Sequence, residues 1–235
     1  MAGMSGQGGS GRRQGGSAQA GSEGGVVSPS SELVFALCHE LGNLIAAVRI
    51  QAHLLDDELG SKELAVASVE IEDLSARATS LLALVRPLLS PAPADAARVE
   101  PFALLATLRQ SLEDRGGRGV RIELEPPPEL PPVIGDSDVL HHLLLALASH
   151  AIEGARPRGY VRLALERCDD HVAFVIEDNA PEREPLSDWP HLERRGRPLT
   201  CAIADDILRK RRGRIEVSNE DGINRIALHL PIADP

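Results

Sequence analysis

Apolar residues in the first third of the chain recur at alternating steps of three and four. The first run comprises Val34, Leu37, Leu41, Leu44, Val48 and Leu55. The second run comprises Leu64, Ala67, Ile71, Leu74, Ala78, Leu81, Val85 and Leu88. Because only a turn at Gly60-Ser61 separates these heptad patterns, they predict two helices of about 28 residues that form an antiparallel hairpin, with Pro87 marking the end of the second.

One hairpin of this kind is expected to leave half of its apolar stripe uncovered, and a second chain would cover it. The pattern therefore predicts a homodimeric four-helix bundle. His39, two positions after Leu37, is rotated by about 200° from the apolar seam, and Asn43 lies one turn further along the same side. Both side chains are expected to face solvent, with Glu40 next to His39 in the sequence.

After a proline- and alanine-rich linker at 90–98, the hydrophobic pattern becomes mixed. It predicts helices at 101–112, 136–155 and 199–210, and strands at 120–124, 161–165, 172–176, 214–217 and 226–230. Three hairpin-like strand pairs with helices between them favour an α+β sandwich, in which helices cover one face of a mixed sheet. The predicted domains are therefore the hairpin at 30–89 and the sandwich at 99–235.

Composition narrows the function without identifying it. Residues 1–29 are expected to be a disordered tail, because ten of the first 25 residues are glycine and no apolar segment of a secretory signal is present. A formal net charge of -10 and only five aromatic residues argue against nucleic acid as a partner. No charge-free stretch approaches the roughly 20 residues of a membrane span, so we expect a cytoplasmic protein.

The segment that follows Cys38 carries the most specific motif. The chain reads His-Glu-Leu-Gly-Asn-Leu-Ile over residues 39–45. This run, its helical setting and the α/β region after it resemble the sensor histidine kinases of two-component signalling, whose motif is His-Glu-Leu-Arg-Asn-Pro-Leu. The resemblance covers residues 30–233. It implies that His39 accepts a phosphoryl group, that Glu40 is the acid-base partner of its ring, and that Asn43 orients the incoming regulator or a hydrolytic water.

The same resemblance locates two nucleotide-binding motifs that have lost groups. Where the family has an asparagine that holds Mg²⁺, this chain has His150, and an imidazole nitrogen is a poor ligand for Mg²⁺. In the next motif Asp178, which would hydrogen-bond the adenine amino group, is retained. Ala180 and Glu182 replace the two glycines of that motif, and Glu182 adds negative charge where a nucleotide would lie.

The glycine-rich phosphate loop of the family is also altered. Gly196 is kept, but Pro198 and Thr200 stand at the next two glycine positions. Proline offers no backbone N–H to a phosphate, and threonine adds a Cβ where the backbone must approach closely. Arg197 could compensate in part. ATP binding is therefore not expected, and no intact cofactor site or metal site is predicted.

These observations predict a histidine phosphotransferase of a two-component phosphorelay. His39 would take a phosphoryl group from one receiver-domain aspartate and pass it to another, with Mg²⁺ bound by the receiver. The expected partners are response-regulator receiver domains, an upstream hybrid histidine kinase and a second copy of the chain. The plan resembles short cytosolic phosphotransferases with a degenerate ATP-binding domain. Two alternatives stay open, namely an ATP-dependent kinase with a divergent pocket, and a non-catalytic scaffold that binds kinases or regulators.

Overall fold

The computed structural model describes residues 29–54, 61–89, 97–114, 120–125, 129–155, 159–181 and 196–233. The helices are α1 Pro29–Leu54, α2 Ser61–Ala83, α3 Val85–Leu89, α4 Pro101–Asp114, α5 Ser137–Gly154 and α6 Gly196–Arg209. The strands are β1 Ala97–Val99, β2 Arg121–Leu124, β3 Val133–Gly135, β4 Tyr160–Cys168, β5 His171–Asp178, β6 Arg214–Glu220 and β7 Ile223–Pro231. The predicted tail lies almost wholly outside the described residues.

Helices α1 and α2 pack against each other through leucines at heptad spacing. The buried positions of α1 are Leu33, Leu37, Leu41 and Leu44. This differs slightly from the predicted seam, because Val34 and Val48 are only half-buried. A steeper leucine row brings longer side chains into the core than the valines would.

The second heptad run does not form one unbroken helix, so that prediction is wrong. Helix α2 ends at Ala83, and Leu84 forms a turn in which its N–H donates to the carbonyl of Leu81 at 3.1 Å. The chain then continues as α3, and Pro87 lies inside this helix rather than at its end. Proline is tolerated there because the first residues of a helix have no N–H bonded within it.

The main sheet has five strands in the order β2-β4-β5-β7-β6. Strands β4 and β5 form one antiparallel hairpin and β6 and β7 form another, while β2 runs parallel to β4. The prediction of a mixed sheet is confirmed, but the count of three hairpin-like pairs is wrong. The sequence pattern also missed β1 and β3, which pair antiparallel, and β1 occupies part of the predicted linker.

The helices and the inner face of the sheet share one hydrophobic core. Apolar residues of β4, β5 and β7 pack with leucines of α4 and α5, and the same cluster includes the buried leucines of α1, α2 and α3. Within it, α2 lies on α5 and α1 lies on α6. The expectation that a single chain leaves this leucine seam half uncovered is therefore wrong, because the second part of the chain covers it.

One described helical segment, Ser31–Ala52, is long and apolar enough to cross a membrane by length and composition. It was not predicted as a span, because Glu40 and Arg49 interrupt the apolar run. Its leucine face packs on the rest of the chain.

Candidate functional site

His39 lies on the outer side of α1, opposite the row of buried leucines. Its side chain is exposed, and so is that of Asn43 one turn later, as the helical period predicts. Glu40 is half-buried, because it points toward the second part of the chain. An exposed imidazole on a rigid helix is accessible to a second protein.

Glu40 lines a small cavity between the α1–α2 pair and α5. The other lining residues are Arg77, Ser80 and Leu81 from α2, and Ala146, Ser149 and His150 from α5. Arg77 Nε lies 2.9 Å from Glu153 Oε1 on α5, so an ion pair joins the two sides of the cavity. Neither periodicity nor a motif indicates this pair, since its members are far apart in the chain.

His150 is positioned by helix α5. This helix starts after Asp136, whose carboxylate accepts the N–H groups of Asp138 and Val139 at 3.0 and 3.1 Å and so caps the helix. At the other end, His150 Nε2 lies 3.2 Å from Thr200 Oγ1. The hydroxyl of Thr200 also donates to the carbonyl of Gly196 at 3.2 Å. Three of the altered nucleotide-motif positions are thus in one hydrogen-bonded group.

Asp178 ends strand β5 and has no exposed surface. Its Oδ1 accepts the N–H of Ala180 at 2.9 Å and an amide N–H of Asn224 at 2.9 Å. Its Oδ2 accepts from the guanidinium of Arg197 in an ion pair. Both carboxylate oxygens are therefore occupied by groups of the same chain.

Arg197 is itself buried, with 6% of its surface exposed. The sequence suggested that its charge could serve a phosphate, but the structure places the guanidinium on Asp178 instead. Gly196 permits this turn into α6, because its φ of 51° is in the left-handed region. Nearby, a Cβ at Gly154 would come within 3.0 Å of the Cβ of Ala180, so the end of α5 is packed closely on the segment after β5.

The remaining predicted positions have mixed outcomes. Pro198 is half-buried in the first turn of α6. Glu182 lies outside the described residues. Asn224, which the motif comparison missed, is the partner of Asp178 in the β5–β7 register, so only correct pairing of these strands could have identified it.

Comparisons with known proteins agree with this arrangement. No protein-family model matches the chain. Over 219 residues the chain is 26% identical to the sensory histidine kinase/phosphatase NtrB of Vibrio alginolyticus, covering 85% of this chain and 62% of that protein. Over 217 residues it is 26% identical to NtrB of Rhodobacter capsulatus, covering 84% and 61%. The chain thus spans less than two thirds of the length of these curated relatives.

Solved structures show the same fold. The histidine kinase AdeS of Acinetobacter baumannii superposes with a TM-score of 0.59 at 20% identity, covering 83% of this chain and 98% of that one. The catalytic domain of the histidine kinase ThkA in a nucleotide-free form gives 0.52 at 16% identity, covering 60% and 99%. The predicted ATPase-like sheet domain is therefore confirmed. The chain is histidine kinase-like, homologous to NtrB and similar in structure to the catalytic domains of histidine kinases.

Proposed function

We propose that this protein is a histidine phosphotransferase that carries a phosphoryl group on His39 between receiver-domain aspartates. The observation that carries this proposal is the contrast between an exposed His39 and an Asp178 whose two oxygens are bonded within the chain. A nucleotide base that used Asp178 would have to displace the buried Arg197 first. A phosphoryl donor from outside needs no such rearrangement.

The chemistry asks little of the histidine protein. A neutral imidazole is a nucleophile near neutral pH, and phosphoryl transfer depends mainly on in-line positioning and on charge stabilisation. A receiver domain supplies both through its Mg²⁺ and its aspartate. Glu40 and Asn43, which flank His39 on α1, would steady the ring and orient the incoming regulator or water.

The second candidate is an ATP-dependent kinase. It is supported by the 26% identity to NtrB, a protein described as a sensory histidine kinase/phosphatase. Against it stand His150 and Thr200, which bond to each other across the altered motifs. An active kinase would have to separate both this pair and the pair of Asp178 and Arg197 to admit ATP.

Labelling experiments separate the two candidates. Incubation of the full chain with γ-labelled ATP and Mg²⁺ should leave it unlabelled. Incubation with phosphorylated receiver domains should transfer label to the wild type and to His171→Ala, but not to His39→Ala. Acid-labile, alkali-stable label from ATP on His39 would instead establish the kinase. Absence of transfer from receivers that nevertheless bind would favour the scaffold.

We also propose that two copies pair through a second stripe of apolar and small residues on α1 and α2. On an α-helix, a residue five positions after another is rotated from it by about 140°. Ile45 and Leu82 stand in this relation to Glu40 and Arg77, which face the second part of the chain, and both are exposed. The stripe comprises Phe35, Cys38, Gly42, Ile45 and Ala52 on α1, and Leu64, Ser68, Ile71, Ala78 and Leu82 on α2. Pairing of two such faces would build a four-helix bundle.

A further inference from the structure

The cavity beside Glu40 brings charged groups from both parts of the chain into close quarters. It is lined by Glu40 and Arg77 on one side and by His150 on the other. Its volume of about 10 Å³ is roughly that required by one water molecule. Side chains around so small a space are restricted in their rotamers.

Arg77 is held in this cavity by the second part of the chain. Its Nε lies 2.9 Å from Glu153 Oε1, and the two side chains are 20% and 21% exposed. Among the described residues, Glu153 Oε1 is buried and makes no hydrogen bond, so the contact is a charge pair rather than an aligned hydrogen bond. The other oxygen of Glu153 lies 3.7 Å from Nδ1 of His150.

The charges explain why Arg77 matters to Glu40. Two carboxylates, those of Glu40 and Glu153, approach the same cavity from opposite sides, and they would repel each other without a cation between them. A guanidinium carries five N–H donors in a planar fork, so it can face two carboxylates at once. Neighbouring helix residues diverge by about 100°, so the helix alone does not fix Glu40 relative to His39.

We propose that Arg77 is a positioning residue for phosphoryl transfer, anchored by Glu153 of α5 and fixing the side chain of Glu40 next to His39. The proposal rests on the function of His39 proposed above. It gives the second part of the chain a role in the acceptor site, because Glu153 belongs to that part. The site would then be incomplete in the α1–α2 pair alone.

The transfer step shows where the positioning acts. The lone pair of a ring nitrogen forms the N–P bond, and the P–O bond to the receiver aspartate breaks with its electron pair leaving on the carboxylate. The other ring nitrogen keeps its proton, so the ring becomes positively charged. A fixed carboxylate at Glu40 stabilises that charge, whereas a mobile one does so only part of the time.

The test compares substitutions of Arg77 in the full chain. Initial rates of labelling are measured over a range of phosphorylated receiver concentrations, and separately with phosphoramidate, whose P–N bond breaks to release ammonia as His39 is phosphorylated. Arg77→Gln should lower the maximal rate about tenfold with an unchanged half-saturating receiver concentration. Arg77→Lys should recover most of the rate. The labelling of His39→Ala is subtracted as background.

Two further variants separate positioning from a general structural effect. Arg109→Gln removes an ion pair of similar length, Nε to Glu113 Oε1 at 2.7 Å, on α4. It should leave the rate within about twofold, since an exposed pair contributes little. Arg77→Gln combined with Glu40→Gln should be no slower than Glu40→Gln alone, because both act through one carboxylate.

The two donors make the outcomes distinguishable. Equal labelling of wild type and Arg77→Gln by phosphoramidate, or additive effects of the Arg77 and Glu40 changes, would overturn the positioning role while leaving transfer through His39 intact. Labelling by phosphoramidate that depends on Arg77, without labelling by any receiver, would support the positioning role and reject receivers as donors. If neither donor labels the wild type, both proposals are wrong.

Discussion

The buried pair of Asp178 and Arg197 shows how a carboxylate can be retained while its use changes. A buried charge needs a partner and hydrogen bonds, because its desolvation is otherwise very unfavourable. Asp178 has these from Arg197, Ala180 and Asn224. The carboxylate is therefore satisfied in the ligand-free chain, which removes the driving force for binding a nucleotide base there.

Removal of one member of this pair should be strongly destabilising. Arg197→Met leaves Asp178 buried without its cation, and we expect the free energy of unfolding to fall by about 3–5 kcal/mol. Urea denaturation followed by circular dichroism measures this change. Arg209→Met is the matched control on the same helix, since Arg209 pairs with Asp205 at 2.8 Å but is 74% exposed. It should change stability by less than about 1 kcal/mol.

A second variant tests the charge itself. Arg197→Met combined with Asp178→Asn should regain part of the lost stability, because no uncompensated charge is then buried. An Arg197→Met variant as stable as Arg209→Met would mean that the pair is not buried in solution.

At the scale of elements, period predicted which helix residues are exposed but not what covers the others. The exposure of His39 followed from its angle to Leu37, which depends on the helix alone. The partners of Asp178 and Arg77 did not follow, because each pair joins distant segments of the chain. Strands β1 and β3 were missed for another reason, since three residues are too few to show an alternating pattern.

The same limit applies to the two apolar stripes of α2. Leu81 is buried against the rest of the chain, whereas its neighbour Leu82 is 57% exposed on the proposed pairing face. If two copies pair there, Leu82→Glu buries a charge twice in one interface and removes two apolar contacts worth about 1.5–3 kcal/mol each. The molar mass from light scattering should then fall from dimer to monomer at micromolar concentration.

A matched control for this prediction lies on the same helix. Val69 is 63% exposed on another side of α2, so Val69→Glu should leave the dimer intact. A monomeric wild type, or equal dissociation by both substitutions, would reject this pairing face.

At the scale of the whole molecule, the α1–α2 pair and the sheet domain are joined by one apolar cluster. Leu84 and Leu88 lie in that cluster together with leucines of α5. Near them, Lys210 Nζ donates to the carbonyl of Leu88 at 2.5 Å, which ties the end of α6 to α3. The predicted boundary between a hairpin at 30–89 and a sandwich at 99–235 therefore follows the sequence pattern but does not divide the core.

A shared core predicts that the two parts unfold together. Leu84 is fully buried where α2 turns into α3, so Leu84→Ala should lower the free energy of unfolding by about 2–5 kcal/mol through lost contacts and a residual cavity. Because the core is continuous, hydrogen exchange should accelerate in β5 as well as in α2, and thermal unfolding should keep a single transition. Leu89→Ala is the control, since Leu89 is 62% exposed and its truncation should have little effect. Two separate transitions in the wild type, or faster exchange confined to the helices, would show that the parts are independent.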